Sequence, residues 1–310
     1  MKRLLSTVPI LILSLPLTAQ EWRYYAGDPG GIRYSTLKQI DRSNIARLRI
    51  AWTYHSGDKG ERGRTTIECT PIVVEGVMYV TSPTLKAIAL EAETGKEIWR
   101  FDPFQGNEEG ARGVNRGVTY WQDAKNRKDR RILFTAGTRL YALDATSGKP
   151  VENFGERGSV ELKHELDREP IEGFYGASSP GVIYKDFIIL GSHLGEGPRP
   201  SAPGHIRAYD VRTGKRAWIF HTIPHPGEFG HDTWEGDSWK TAGGANAWGG
   251  MSVDERRGWV FVATGSPAFD FYGGQRLGQN LFGNSVIALD AATGKRIWHF
   301  QTVHHDLWDY

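Results

Sequence analysis

Cysteine is almost missing from this 310-residue sequence, and the single Cys69 has no partner within the chain, which excludes a disulfide scaffold. An excess of charge is also missing, because 38 lysines and arginines stand against 36 aspartates and glutamates, so nucleic acid is not expected as a partner. No apolar run long enough to cross a membrane occurs after residue 20. Abundant instead are 38 glycines, 11 tryptophans, 12 tyrosines and 13 phenylalanines. This composition excludes a disordered chain and indicates a repetitive β architecture.

Residues 1–19 have the features of a secretory signal peptide. Two basic residues precede an apolar run from Leu4 to Leu17, and a small residue, Ala19, stands at the expected cleavage point. The run is shorter than the roughly 20 residues that span a bilayer, so a retained membrane anchor is the weaker alternative. We therefore expect an exported protein in which residues 20–310 form one domain.

An eight-residue phrase of the type Ala-x-Asp/Glu-x-x-Thr/Ser-Gly-Lys recurs along the chain. Its four copies occupy residues 89–96, 142–149, 208–215 and 288–295. In three copies a tryptophan stands four residues after the glycine, at Trp99, Trp218 and Trp298. Glu152 takes this place in the second copy. Trp52 lies in what looks like the end of a further copy that lacks the eight-residue phrase before it.

Each copy of the phrase predicts a β-hairpin, because the acidic residue can cap a turn and the glycine accepts a positive φ. A second strand pair precedes the phrase, as in 71–80, where Glu75-Gly76 is the expected turn. Two hairpins per repeat make a four-stranded antiparallel sheet, which is one blade of a β-propeller. We therefore predict an all-β fold of about four blades, with insertions between blades that form functional loops.

The phrase with its tryptophan resembles the tryptophan-docking motif of the quinoprotein dehydrogenases that depend on pyrroloquinoline quinone (PQQ). The resemblance covers the mature chain: 22–28 is similar to the family's opening segment, and 220–228 and 304–309 are similar to the branch that oxidises glucose, polyols and alcohols. It implies an eight-bladed propeller with PQQ on its central axis. The sequence ends inside an aromatic, histidine-rich phrase, so we expect it to be the N-terminal half of such a protein, with about four blades.

The resemblance also implies which residues contact the cofactor. Glu68 matches a glutamate that hydrogen-bonds the polar edge of the quinone, and Arg116 matches an arginine that pairs with its carboxylates. Trp248 matches the tryptophan on which the planar cofactor lies. Thr135 matches a threonine contact, although a small shift in register assigns this contact to Thr138 instead.

For the metal ion and the chemistry, the resemblance points to three further residues. Glu196 lies near the family's metal-binding glutamate, and Ser266 stands where many members have a metal-binding asparagine. Asp309 matches the catalytic aspartate, which is also a metal ligand. These residues imply a calcium ion, or another hard cation, that polarises the quinone carbonyl while Asp309 takes the proton of the substrate hydroxyl.

The implied partners are an alcohol, sugar or polyol substrate in the periplasm and a quinone or cytochrome electron acceptor. A half-propeller also leaves two sheet faces and a strand edge uncovered, which predicts aggregation or pairing through them. Two alternatives to an enzyme remain open: a non-catalytic periplasmic propeller scaffold and an inactive gene remnant.

Several histidines are candidate metal ligands, namely His221, His225, His231, His304 and His305. They lack both the His-Glu-x-x-His helix and the cysteine partners that make such a pattern specific for zinc. The spacing therefore favours polar loop histidines over metal ligands. Without the family resemblance, Glu68 is also compatible with a half-buried, paired carboxylate and Arg116 with a salt bridge in a loop. Spacing alone favours a turn cap for Asp309.

Overall fold

The structure is a computed structural model. It describes residues 21–58, 65–107, 111, 113–167, 174–197 and 201–309. The predicted signal peptide, residues 1–19, lies outside these described residues. Within them, no helix is both long enough and apolar enough to cross a membrane.

Four antiparallel sheets of four strands each form the fold, and we number them as blades 1 to 4. Blade 1 consists of Ile72–Val74 (β1), Val77–Thr81 (β2), Ala87–Glu91 (β3) and Glu97–Phe101 (β4). Blade 2 consists of Thr119–Gln122 (β5), Arg130–Ala136 (β6), Arg139–Asp144 (β7) and Ser159–Glu161 (β8). Blade 3 consists of Val182–Tyr184 (β10), Phe187–Leu190 (β11), Ile206–Asp210 (β13) and Arg216–Phe220 (β14). Next to it, the short strands Tyr175–Gly176 (β9) and His193–Leu194 (β12) pair with each other. Blade 4 consists of Met251–Asp254 (β16), Trp259–Ala263 (β17), Ser285–Asp290 (β19) and Arg296–Gln301 (β20). The short strands Gly243–Gly244 (β15) and Pro267–Ala268 (β18) pair with each other.

Helices are minor in the described residues. They are the 3-10 turns Ile45–Arg47, His231–Thr233 and Gly273–Gln275 and the single α-helical turn Ser238–Thr241 (α1). The predicted all-β fold of four-stranded antiparallel blades is thereby confirmed.

The recurring phrase forms the turn between the third and fourth strands of a blade, as its chemistry predicts. Oδ1 of Asp290 accepts hydrogen bonds from the backbone N–H and the hydroxyl of Thr293, at 2.9 and 2.8 Å, and Asp210 binds Thr213 in the same way. The four glycines of the phrase have φ between 70° and 73°, which L-residues with a Cβ rarely adopt. The sequence therefore encodes these turns locally.

The tryptophans join one blade to the next. The indole N–H of Trp99 in blade 1 donates to the carbonyl of Ala145 in blade 2 at 3.0 Å, and its ring covers the turn glycine Gly148. Trp218 makes the equivalent bond to Ala291 at 3.2 Å and covers Gly294. Apolar clusters accordingly lie between blades 1 and 2, 2 and 3, and 3 and 4.

Blade 2 departs from this pattern because Glu152 replaces its tryptophan. The segment that includes Gly155 and Val160 covers the glycine of blade 3 instead, since a Cβ on Gly214 would lie 2.7 Å from Val160. The N–H of Gly155 also donates to the carbonyl of Thr213 at 2.8 Å. A backbone hydrogen bond and a small apolar contact thus replace the indole at this junction.

The first strand of each blade lies toward the centre, because β10 contacts both β5 and β16 while the docking tryptophans lie on the fourth strands. The segment that contains Trp22 and Pro29 links the two ends of this row. Trp22 exchanges two backbone hydrogen bonds with Val73 in β1, and the carbonyl of Pro29 accepts from the N–H of Val253 in β16 at 2.8 Å. This segment therefore ties blade 1 to blade 4.

Blade 4 presents an apolar face that no other blade covers among the described residues. Its docking residue Trp298 is 39% exposed, against 8% for both Trp99 and Trp218. Phe300 and Ile297 on the same strand are 66% and 38% exposed. Trp298 thus has the motif of a docking residue, but no neighbouring blade covers it among the described residues.

Candidate functional site

The backbone segments that enter the first strands of the blades are hydrogen-bonded to one another around the centre. The N–H of Thr70 donates to the carbonyl of Arg116 at 2.9 Å, and the N–H of Arg116 donates to the carbonyl of Ser178 at 2.7 Å. The hydroxyl of Ser179 then donates to the carbonyl of Trp248. Residues distant in sequence are thereby brought together at one mouth of the blade set, which we call the axial mouth.

Arg116 is the centre of the polar contacts at the axial mouth. Its guanidinium forms an ion pair with Glu68 at 2.9 Å and donates to the hydroxyl of Ser178 at 2.7 Å. The same guanidinium lies over the indole of Trp248, 5.4 Å from the ring centroid. Three of the four residues predicted to contact the cofactor are therefore adjacent.

Trp248 offers a flat apolar surface to solvent, since its side chain is 50% exposed. The following Gly249 carries no side chain, and a Cβ placed there would meet nothing within 4 Å. Open space therefore lies at Gly249, and the hydroxyl of Ser179 holds the backbone of the preceding Trp248. A planar ligand fits against this surface, and Arg116 is positioned to pair with negative groups on the rim of that ligand.

Thr135 is buried beneath the axial mouth rather than exposed on it. It is 4% exposed, and its hydroxyl donates to the carbonyl of Ala177. Its own carbonyl accepts a hydrogen bond from the Asn115 amide at 2.8 Å, which connects Thr135 to the Arg116 segment. The alternative, Thr138, instead donates to Glu161 of β8 at 2.9 Å.

His193 lies between the arginine side of the mouth and the carboxylates on its other side. Burial lowers the pKa of His193, and the positive charge of Arg116 lowers it further, while Glu196 and Glu68 act in the opposite direction. The ring is therefore neutral at pH 7. Sequence reasoning did not select His193, because a single histidine in a two-residue strand carries no pattern.

The carboxylates predicted to bind a metal lie near a third one, Asp270. Burial, together with the negative charges of Glu196 and Asp309, raises the pKa of Asp270 to about 6. Asp270 is 8% exposed, and its Oδ1 has no hydrogen-bond partner. A hard cation would give the buried Oδ1 of Asp270 a partner and would neutralise the negative charges around it. Carboxylate oxygens are ligands that calcium prefers, so these residues fit a cation such as calcium.

Ser266 lies in a separate hydrogen-bonded group around Asp306. The hydroxyl of Ser266 and the amide of Asn284 both donate to Oδ2 of Asp306, at 2.6 and 3.1 Å. Oδ1 of Asp306 accepts the N–H groups of Trp308 and Asp309, at 3.2 and 3.1 Å. Asp306 therefore fixes the turn that carries Asp309, and Ser266 helps to fix Asp306.

Asp270 and Asp306 were not selected from the sequence. Asp306 lies inside a phrase that was recognised, so its acid was a visible candidate next to Asp309. Asp270 lies in a long loop, and nothing in its neighbours distinguishes it from a turn aspartate. Its significance comes from burial and from charges contributed by distant segments.

The four-stranded antiparallel blades and the tryptophans that join them define a class of protein, the β-propellers. Residues 22–310 match the family model described as "PQQ: Glucose/ethanol/alcohol dehydrogenase, beta-propeller domain". The chain therefore belongs to this family of PQQ-dependent dehydrogenases, as the tryptophan-docking repeat indicated.

Individual relatives agree with this assignment. Quinoprotein glucose dehydrogenase A of Acinetobacter calcoaceticus is 34% identical over 93% of this chain and 38% of that protein. The crystal structure of the quinohemoprotein alcohol dehydrogenase of Comamonas testosteroni has a TM-score of 0.78 at 29% identity, over 94% of this chain and 42% of that one. A europium-containing methanol dehydrogenase has a TM-score of 0.75 at 26% identity, over 94% of this chain and 50% of that one. The chain thus spans about two fifths of the length of the curated relatives that it matches.

Proposed function

We propose that this chain supplies the cofactor-binding blades of a PQQ-dependent dehydrogenase that oxidises an alcohol, sugar or polyol. The observation that carries the proposal is the convergence of Arg116, Trp248 and a group of carboxylates at the axial mouth. These residues come from different blades, so a purely structural role for each would not require them to meet. The relatives that act on glucose and on alcohols support the substrate class.

Four residues would hold the cofactor. The indole of Trp248 would support one face of the planar ring system, and the guanidinium of Arg116 would pair with its carboxylates. Glu68, 2.9 Å from Arg116, orients that guanidinium and offers an acceptor to the polar edge of the ring. Thr135 would act from beneath the mouth through its link to the Arg116 segment.

Glu196 and Asp309 would bind a calcium ion, and Ser266 would act indirectly through its hydrogen bond to Asp306. Carboxylate oxygens are the ligands that calcium prefers. A cation would also relieve the repulsion between Asp270 and the negative charges of Glu196 and Asp309. Asp270 is the additional acid that the structure makes a candidate. A europium-containing relative supports a metal ion of this oxygen-seeking type in the family.

In the proposed mechanism, Asp309 is the proton acceptor. When bound, PQQ supplies the two-electron acceptor for the carbon-bound hydrogen of the substrate. A carboxylate oxygen of Asp309 would take the hydroxyl proton, and loss of this proton together with the carbon-bound hydrogen and its electron pair would convert the alcohol to a carbonyl. Asp306 holds the backbone of Asp309 at 3.1 Å and thereby fixes where that oxygen stands. A quinone or a cytochrome in the periplasm would be the final electron acceptor.

Dye reduction tests this function. Purified chain supplied with PQQ and calcium is assayed with glucose, glycerol and ethanol, and we expect substrate-dependent reduction of the dye. Asp309→Asn should lower the rate by about 100-fold to 10,000-fold, the usual effect of a general base, while PQQ remains bound. Asp232→Asn, an exposed acid on a 3-10 turn, is the matched control and should keep the full rate. A chain that neither binds PQQ nor reduces the dye would contradict the proposal.

We also infer that the exposed face of blade 4 pairs with a further blade or with a second chain. Trp298 and Phe300 supply the apolar surface for such a contact. Sedimentation of the purified chain should show self-association, and Phe300→Asp should weaken it because a carboxylate would be buried. Equal sedimentation of both proteins as monomers would contradict the inference.

A further inference from the structure

A second group of polar side chains lies outside the axial mouth, near the third and fourth strands of blade 3. It consists of Asp167, His205, His221 and His225, which we call the histidine cluster. One potential ligand atom from each side chain lies within 4.8 Å of all the others, and across the described ranges no other group of three or more histidine, cysteine or acidic side chains meets this condition. The side chain of His205 is 1% exposed, whereas those of His221 and His225 are 17% and 33% exposed. An ion can therefore reach the cluster from solvent.

The distances within the cluster can be compared with those between the ligands of a zinc ion. Two ligands about 2.0–2.1 Å from one tetrahedral zinc ion lie about 3.4 Å apart. Nε2 of His225 and Nε2 of His221 lie 3.2 and 3.7 Å from Oδ2 of Asp167, close to that separation. Nε2 of His205 lies only 2.7 Å from the same oxygen, which is the distance of a hydrogen bond.

His205 is held as a donor rather than as a ligand. The backbone N–H of Thr222 donates to its Nδ1 at 3.1 Å, so the proton of the neutral ring stands on Nε2 and points at Asp167. His205 is therefore a positioning residue for the Asp167 carboxylate.

His221 has the opposite tautomer. Its Nδ1 lies 2.8 Å from a carboxylate oxygen of Glu228, so Nδ1 carries the proton and the Nε2 lone pair is free. Metal-binding histidines commonly have such a carboxylate behind them, because it fixes the ring and raises its basicity. Glu228 also accepts the backbone N–H of His225 at 2.8 Å, which anchors both histidines to one acid.

We propose that Asp167, His221 and His225 bind one divalent transition-metal ion, for which Zn²⁺ is the best match, with water in the fourth position. Two imidazole nitrogens and one carboxylate oxygen are a donor set that suits zinc. The two rings are stacked at 4.1 Å with 16° between their planes, so binding requires them to rotate apart until their lone pairs meet. The ion joins the connection between blades 2 and 3, which carries Asp167, to the connection that follows β14.

Zinc titration of the full chain, stripped of metal and without PQQ, tests this proposal independently of the dehydrogenase function. We expect one Zn²⁺ per chain and a rise in unfolding temperature as zinc is added. His225→Gln and Asp167→Asn should each weaken zinc binding by at least about 100-fold, and Glu228→Gln by about 10-fold to 100-fold, as removal of an orienting partner does. His304→Gln, an exposed histidine outside the cluster, is the control and should bind zinc like the unaltered chain.

A second measurement on the unaltered chain covers the case in which a cluster variant fails to fold. Zinc should protect His221 and His225 from acylation by diethyl pyrocarbonate, mapped by mass spectrometry, and should leave His304 reactive. No zinc binding, equal binding by a folded His225→Gln variant, or equal reactivity of His221 and His225 with and without zinc would each overturn the proposal.

Discussion

Arg116→Ala is expected to weaken PQQ binding by about 30-fold to 1,000-fold, which corresponds to roughly 2–4 kcal/mol at about 1.4 kcal/mol per tenfold change. The reason is that Arg116 is the cation at the axial mouth that pairs with Glu68 and lies over Trp248. Its removal leaves the carboxylates of the cofactor without a partner and leaves Glu68 without its counter-charge. Arg116→Lys should keep part of the affinity, because an ammonium supplies the charge without the planar fork. Equilibrium dialysis against PQQ in the presence of calcium measures both changes.

Arg100→Ala is the matched control for this experiment. Arg100 lies on the outer strand β4 and pairs with Glu97 at 2.9 Å, so it resembles Arg116 in chemistry but not in position. Its loss should leave the dissociation constant of PQQ within about twofold, since surface ion pairs contribute little. The account of the site is contradicted if the two alanine variants bind PQQ equally well.

Trp99→Ala is expected to destabilise the fold by about 3–5 kcal/mol, the usual effect of truncating a buried aromatic side chain. Trp99 is 8% exposed, donates to Ala145 at 3.0 Å, and covers Gly148 at the junction of blades 1 and 2. The alanine would leave a cavity at that junction and remove one of the two hydrogen bonds that the carbonyl of Ala145 accepts. Urea unfolding followed by circular dichroism gives the change in the free energy of unfolding.

Trp298→Ala is the comparison that the repeat itself provides. Trp298 occupies the same motif position in blade 4 but is 39% exposed, with no blade against it among the described residues. Its replacement should lower the free energy of unfolding by less than about 1 kcal/mol, because substitutions at exposed positions usually change stability by no more than that. Equal destabilisation by the two substitutions would show that docking between blades is not the source of the effect.

The blades were predictable because their turns are encoded locally. Asp290 and Thr293 bind each other across three residues, and Gly294 provides the positive φ that the turn requires. The junction between blades 2 and 3 was not predictable in this way. Val160 replaces an indole there through a contact with Gly214, which lies more than 50 residues away in sequence.

The candidate site was predictable only where single residues stand in a recognisable phrase. Glu68, Arg116 and Trp248 were selected in that manner, and the structure brings them together. Asp270 was missed because its character comes from burial and from the charges of Glu196 and Asp309. Such charge effects depend on distances that sequence spacing does not contain.

The histidines show the same limit. Spacing favoured polar loop histidines over metal ligands, and His231 and His305 do bond backbone carbonyls, of Pro224 and Gly273 respectively. His221 and His225 instead meet Asp167, which is more than 50 residues earlier in the chain. A metal site assembled from such distant segments has no local signature.

Hydrogen exchange with and without PQQ tests the central claim most directly, namely that the segments leading into the first strands form the cofactor site. In the presence of calcium, PQQ should slow amide exchange in the segments around Arg116, Ser178 and Trp248, because these amides surround the axial mouth. Exchange in the outer strands β4 and β14 should not change. Protection at the exposed face of blade 4, with none at the axial mouth, would contradict the account.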